Sequence, residues 1–228
     1  MMPEPCHDIA HLGNVELFTP EPERSLWYFR DILGMTVVHS AGPSVHLRAW
    51  GDHAAATLKL TEARLPGVGC VAWRAMSPVA LERRAAALEQ AGLGVGWTNG
   101  DFGRGRSYRF RDPDGHVMEV YYEEQRYEAP PSERSRLKNQ PQKYGGRGVG
   151  VRRSDHLALL ASDVPANRRF ATDLLGFQLR EQVIFDEGRT ELGSWMSPTA
   201  GTPSRITLTV SRTVAVAHDP QPPTPTST

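Results

Sequence analysis

The chain has 228 residues, 39% of them hydrophobic and 23% charged, with 26 Lys plus Arg set against 26 Asp plus Glu. That length suits one large or two small globular domains, and a net charge of zero carries no electrostatic footprint for nucleic acid or an anionic membrane. No run reaches the roughly 18 apolar residues of a membrane span, the opening MMPEPCHDIA lacks the basic and apolar regions of a signal peptide, and Cys6 and Cys70 are too few for a disulfide scaffold, so a cytoplasmic protein is expected.

Taken in chain order, Ile9 to Val15 (IAHLGNV) is an alternating apolar strand with His11 near its start. A polar, proline-bearing patch from Thr19 to Pro22 leads into a helix predicted over Glu23 to Ile32, stopped at Leu33-Gly34, where glycine suits a left-handed end. Strands are predicted at Met35–Val38, Val45–Arg48 and Thr57–Leu60. A fainter copy begins at Cys70–Trp73: Ser77 caps a helix with Pro78 at its first position, and Leu81, Ala85 and Leu88 share one face until Ala91-Gly92. Gly92 to Gly105 is glycine-rich and reads as a loop, followed by strands at Ser107–Arg111 and Val117–Tyr122. Asp112-Pro113-Asp114-Gly115 between them reads as a turn and a fold marker, and Arg83-Arg84 and Arg168-Arg169 as solvent-facing helix positions.

The stretch Ser154 to Leu160 (SDHLALL) repeats the opening pattern with His156 at its start. Asp163 is the expected N-cap of a helix reaching Leu174, and Leu175-Gly176 ends it before Phe177-Gln178-Leu179. The repeated unit is therefore βαβββ, and the fold class is α+β. One unit leaves a sheet face uncovered, so two must pair to bury a core. Units one and two make a complete domain over residues 1–127, and a Pro/Gly/basic linker covers 128–153. Residues 154–210 form the first unit of a second domain that the chain does not finish, and 211–228 read as a disordered tail.

The paired units, the doublet DILG (Asp31–Gly34) and DLLG (Asp173–Gly176), and RDPDGHVME (Arg111–Glu119) resemble the vicinal oxygen chelate superfamily, with its glyoxalase-like fold. Within it, the two-domain layout, RSRLKNQPQ in the linker and GSWMS (Gly193–Ser197) resemble the type I extradiol dioxygenases, of the catechol 2,3-dioxygenase kind. The resemblance implies an enzyme using Fe(II), with Mn(II) as the alternative, that cleaves a catechol beside its diol with dioxygen in aromatic degradation, and implies a homo-oligomer.

In that family the first metal-binding histidine opens unit three, the second opens unit four, and a glutamate sits on the last strand of unit four. His156 matches the first, and nothing in the chain matches the other two or the family's acid/base histidine. After Met196-Ser197 the family pattern is replaced by PTAGTPSRITLTV, with Pro203-Ser204-Arg205 where a His-Asp pair is expected, and the remaining His218 lacks a strand context. The expectation is an early stop after a reading-frame change or an incomplete gene model, and impaired activity. The alternative is a non-catalytic βαβββ scaffold or a nonfunctional truncated product. A second candidate metal set lies in the first domain, where His11, Cys70 and Glu119 occupy topologically matching positions. Its bland reading has Cys70 packed as a small hydrophobe and Glu119 paired with Arg109 or Arg111.

Overall fold

The computed structural model describes residues 7–198 and 208–212; Cys6, Pro203-Ser204-Arg205 and His218 lie outside them. Unit one runs β1 (Ile9–Thr19), α1 (Pro22–Trp27), β2 (Thr36–Ala41), β3 (Ser44–Arg48) and β4 (Leu58–Glu62). Unit two runs β5 (Gly67–Ala75), α2 (Pro78–Gln90), β6 (Gly94–Thr98), β7 (Ser107–Arg111) and β8 (Val117–Tyr121). Unit three runs β9 (Leu157–Ala161), α3 (Val164–Arg169), β10 (Gln178–Phe185), β11 (Thr190–Ser197) and β12 (Leu208–Arg212).

Local chemistry starts the helices where the sequence predicts. Ser77 accepts a hydrogen bond from Ala80 N at 3.1 Å and Asp163 from Ala166 N at 2.9 Å, with proline in the first turn of both helices. The first and third helices pass into π-helical turns, Tyr28–Ile32 and Phe170–Leu174. Both end at a glycine of positive φ, Gly34 at +74° and Gly176 at +75°. At Gly34 a β-carbon would also lie 2.2 Å from the Arg147 carbonyl oxygen, so glycine is required there twice over.

Units one and two share an eight-stranded sheet of order β2-β3-β4-β1-β5-β8-β7-β6. In each unit the first strand lies parallel to the last, and the two units join through antiparallel β1 and β5. Unit three forms a separate four-stranded sheet, β10-β11-β12-β9, again with its first and last strands parallel. The paired βαβββ architecture expected from the repeat is the one observed.

Strand alternation then decides the core. Val71 and Trp73 of β5, Met118 and Val120 of β8, and Leu159 and Ala161 of β9 all face the helices and are buried. Phe177 meets Trp73 edge-on at 5.1 Å and Phe170 lies 6.1 Å from Phe110, so the third unit packs its helical side onto the first domain in one continuous core.

Four expectations are corrected. Gly94–Thr98, read as loop, is the strand β6: an edge strand needs only one partner, and β7 supplies its ladder without side-chain alternation. Arg84 does not face solvent; it is buried, donates to the Leu174 carbonyl at 2.7 Å and pairs with Asp8 at 2.8 Å. The Asp112–Gly115 turn forms, but Asp114 also reaches unit three, accepting from the Ser162 amide at 3.1 Å, the Ser162 hydroxyl and Asn167 Nδ2 at 2.6 Å. Ser211 and Arg212, expected in the tail, belong to β12, and 213–228 lie outside the described residues.

The segment 128–153 has no strand or helix but is tied down. Trp50 Nε1 donates to Gly150 O at 2.9 Å, Arg48 Nη1 to the buried Gln142 at 2.6 Å, and the amides of Val149 and Val151 to Ile32 O and Leu33 O.

Candidate metal centre and the polar face of the first sheet

The face of each sheet turned away from the helices carries the candidate ligands. On the first sheet it presents Glu16, Cys70, Ala72, Arg74, Glu119, Lys59 and His46, which alternate with the core residues of their strands. On the second it presents Ala158 and Leu160 of β9 with Thr209 and Ser211 of β12, and His156 just before β9 continues that row.

Register makes the three units comparable. Val15, Val71 and Leu157 each stand six residues before the residue that precedes their helix, Glu21, Ser77 and Asp163. They pair with Leu58, Met118 and Leu208 respectively. Cys70 and His156 are therefore equivalent, and the residue at that position in unit one is Asn14, which is buried. His11 lies three residues earlier, opposite Arg74, because β1 absorbs extra residues in register shifts such as that between Leu12 and Asn14.

His11, Cys70 and Glu119 are accordingly not brought together, and among the described residues no three His, Cys, Asp or Glu side chains converge on a point that could hold a metal ion. Each has another engagement. The Glu119 carboxylate, 3% exposed, accepts from Arg104 Nη1 at 2.9 Å and from Arg109 Nη2 at 2.7 Å. Burial, with Glu119 adding to it, pushes the Cys70 thiol up to about 12. His11 is held below the ordinary histidine range, by desolvation first, with Glu124 opposing and Arg74 and Arg153 assisting.

The rest of this face is closed by its own charges. Lys59 Nζ sits between Glu16 at 3.1 Å and Asp101 at 2.8 Å, and Asp101 approaches Arg104 at 3.8 Å. Burial would raise Asp101, but the hydrogen bonds from Lys59 and the Phe102 amide, with the charges of Lys59 and His46, together leave the carboxyl below the usual range. Phe102 stacks on His39 at 4.3 Å and lies 5.3 Å from His46, whose burial holds it below the ordinary histidine value. The loop carrying Asp101 to Arg104 thus folds over the outer face of the sheet. Lys59, between Leu58 and Leu60, was visible as the polar member of an alternating strand; nothing in the sequence marked Asp101 as its partner.

His156 is exposed, and its Nε2 hydrogen-bonds Thr209 Oγ1 at 2.8 Å. Thr209 follows Leu208 as Glu119 follows Met118, so this contact joins the two positions that Cys70 and Glu119 hold in unit two. Glu191 of β11 is turned to the helical side, held below the usual carboxylate range: burial raises it, and the bonds from Arg168 Nε at 2.9 Å and from Ser194 overcome that. A two-histidine, one-carboxylate face needs three convergent ligands. The described residues offer one imidazole, and so they do not by themselves fit an iron or manganese site.

Residues 9–120 match the Glyoxalase/Bleomycin resistance protein/Dioxygenase superfamily. Together with the paired βαβββ units, this places residues 9–120 in the vicinal oxygen chelate superfamily. Among named proteins, it is 48% identical over 194 residues to the metapyrocatechase of Geobacillus stearothermophilus, covering 85% of this chain and 59% of that protein. It is 36% identical over 194 residues to the manganese-dependent 2,3-dihydroxybiphenyl 1,2-dioxygenase of Geobacillus genomosp. 3, covering 84% and 61%. The crystal structure of the 2,3-dioxygenase LapB from Pseudomonas sp. KL28 superposes with a TM-score of 0.78 at 19% identity, covering 90% of this chain and 71% of that one, which shows the shared fold. The chain spans about three fifths of the length of the curated relatives it matches.

Proposed function

We propose that the chain carries the first domain and the first catalytic-type unit of an extradiol dioxygenase, a catechol-cleaving enzyme that uses dioxygen and Fe(II) or Mn(II), with His156 as one metal ligand. The supporting observation is the 48% identity to a metapyrocatechase over 85% of the chain, a span too long to stop short of His156. The comparisons do not favour a non-catalytic scaffold. Because one imidazole is all that the described residues provide, the reading assigns the remaining ligands to groups outside them. A cytoplasmic location is part of the same proposal; among the described residues no helix is long and apolar enough to cross a membrane.

The test is metal content by mass spectrometry after anaerobic Fe(II) or Mn(II) loading, with a catechol assay for the yellow ring-fission product. Metal-dependent product is expected, falling at least about 100-fold in His156→Ala, the upper end for losing a group that merely supports a ligand. Absence of product, or product untouched by the substitution, would overturn the assignment.

A further inference from the structure

The chain has four asparagines, all among the described residues, and the fold treats them unequally. Asn14 is buried in β1, and the amide that follows it, Val15 N, donates to Thr57 O at 3.1 Å. Asn167 is buried too, its Nδ2 donating to Asp114 Oδ2 at 2.6 Å and to Asp163 O at 3.0 Å. Asn139 is exposed in the linker, but Gln140 follows it, and the Gln140 amide donates to Leu137 O at 3.3 Å. Asn99 is exposed just past the end of β6 and precedes Gly100, outside any strand or helix.

The Asn99-Gly100 pair lays an asparagine side chain open to attack by its own backbone. The Gly100 nitrogen can bond to Asn99 Cγ as the Cγ–Nδ2 bond breaks, and ammonia leaves with the proton that Gly100 N gives up. A cyclic succinimide results. Solvent water then opens it at Cγ to give aspartate, or at the backbone carbonyl of residue 99 to give isoaspartate, with no oxidant and no cofactor. Residue 100 has no β-carbon to shield its nitrogen. Its amide is also weakly committed: the acceptor, Thr98 Oγ1, lies at 3.4 Å, beyond the roughly 3.2 Å limit of an ordinary N–H···O bond.

The turn that follows is too tight to absorb the second product. Gly100 sits at φ +83°, and a β-carbon on it would lie 2.0 Å from Gly105 O. Arg104 N closes the turn on Asp101 O at 2.8 Å, and Gly105 N reaches Glu123 O at 3.0 Å. Isoaspartate adds one main-chain carbon between residues 99 and 100, about 1.5 Å of chain. The same turn delivers Asp101 to Lys59, Phe102 to the His39 ring and Arg104 to Glu119, so lengthening it pulls on all three contacts. Lys59 keeps Glu16, and Glu119 keeps Arg109, when those contacts part.

We infer that Asn99-Gly100 is a self-modifying site, where succinimide formation converts Asn99 to isoaspartate and unfastens the loop carrying Asp101 to Arg104 from the first sheet. The inference needs neither metal nor substrate and is independent of the assigned activity. The intact chain is held at mildly alkaline pH and physiological temperature and sampled by peptide mass spectrometry, with isoaspartyl methyltransferase labelling to tell isoaspartate from aspartate. The mass gain of amide-to-acid conversion is expected at Asn99 at least about tenfold faster than at Asn139, a barrier difference of about 1.4 kcal/mol, and not at Asn14 or Asn167. Amide exchange across 101–105 should quicken in the isoaspartyl fraction. It should stay slow in Asn99→Asp, which supplies the charge without the added carbon. Asn99→Gln, whose longer side chain needs a larger and less favoured ring, should keep both its mass and its slow exchange; Gly100→Ala is not used, because its β-carbon would strike Gly105 O. An Asn99 that keeps its amide, or changes no faster than Asn139, overturns the site. An isoaspartyl fraction that exchanges across 101–105 as slowly as fresh protein overturns the release of the loop.

Discussion

His46 shows how a buried group in the first sheet registers pH. Its side chain is 4% exposed, Nδ1 has no hydrogen-bond partner among the described residues, and Asp101, Lys59, His39 and Arg104 surround it. Burial opposes protonation first; Asp101 at 3.7 Å favours it, while the neighbouring cations assist burial. The folded-state value therefore lies below the unfolded one. A histidine depressed in this way contributes its stability in full above about pH 6.5, and that contribution is lost as pH falls through the folded-state value. Thermal unfolding between pH 7.5 and 5 is expected to show a fall in melting temperature that His46→Phe makes shallower. An equal slope in the two proteins would mean that His46 is not the group titrating. Asp101 and Glu191 carry the same sign in a lower window: both lie below the usual carboxylate range, so their share persists above about pH 4 and disappears only at lower pH.

The helices show which local signals were sufficient. Ser77 and Asp163 were recognisable as caps because their short side chains compete for amides that a helix start leaves unbonded, and both do bond as expected. Asp163→Ala should cost about 1 kcal/mol, read as a lower melting temperature with unchanged fold by circular dichroism; no measurable change would show that Pro165 and the packing of Val164 hold the helix start alone. At the strands the same logic has limits. β7 and β8 fell within a residue of their predicted ends, since their alternation of core and polar residues is regular. β6 was missed because Gly94 and Gly96 remove the side chains that would have shown a period of two. The bulges in β1 displaced His11 from the place that plain counting assigns it, since a bulge shifts register without changing composition.

At the scale of the whole molecule, one carboxylate fastens the third unit to the first domain. Asp114, at the tip of the turn between β7 and β8, receives the Ser162 amide and hydroxyl and the Asn167 side chain, while Phe177 and Phe170 seal the apolar contact beside it. Asp114→Ala should remove about 1–3 kcal/mol, and the loss should appear as faster amide exchange in 157–170 with the first-sheet strands unchanged. Uniformly faster exchange in both sheets would instead mean that the two unfold together. That role was hidden, because Asp-Pro-Asp-Gly explains itself completely as a turn.

The sequence by itself determined the repeat, the α+β class and the family resemblance. All of these depend on periodicity, caps and glycine stops, which act over a few residues. Only the tertiary structure decided that Arg104 joins the expected Arg109 on Glu119, that Asp101 closes on Lys59, and that Asn14 and not His11 stands at the opening position of unit one. Those outcomes join residues tens of positions apart through sheet register and charge pairing, and neither is encoded in the local pattern that a linear reading samples.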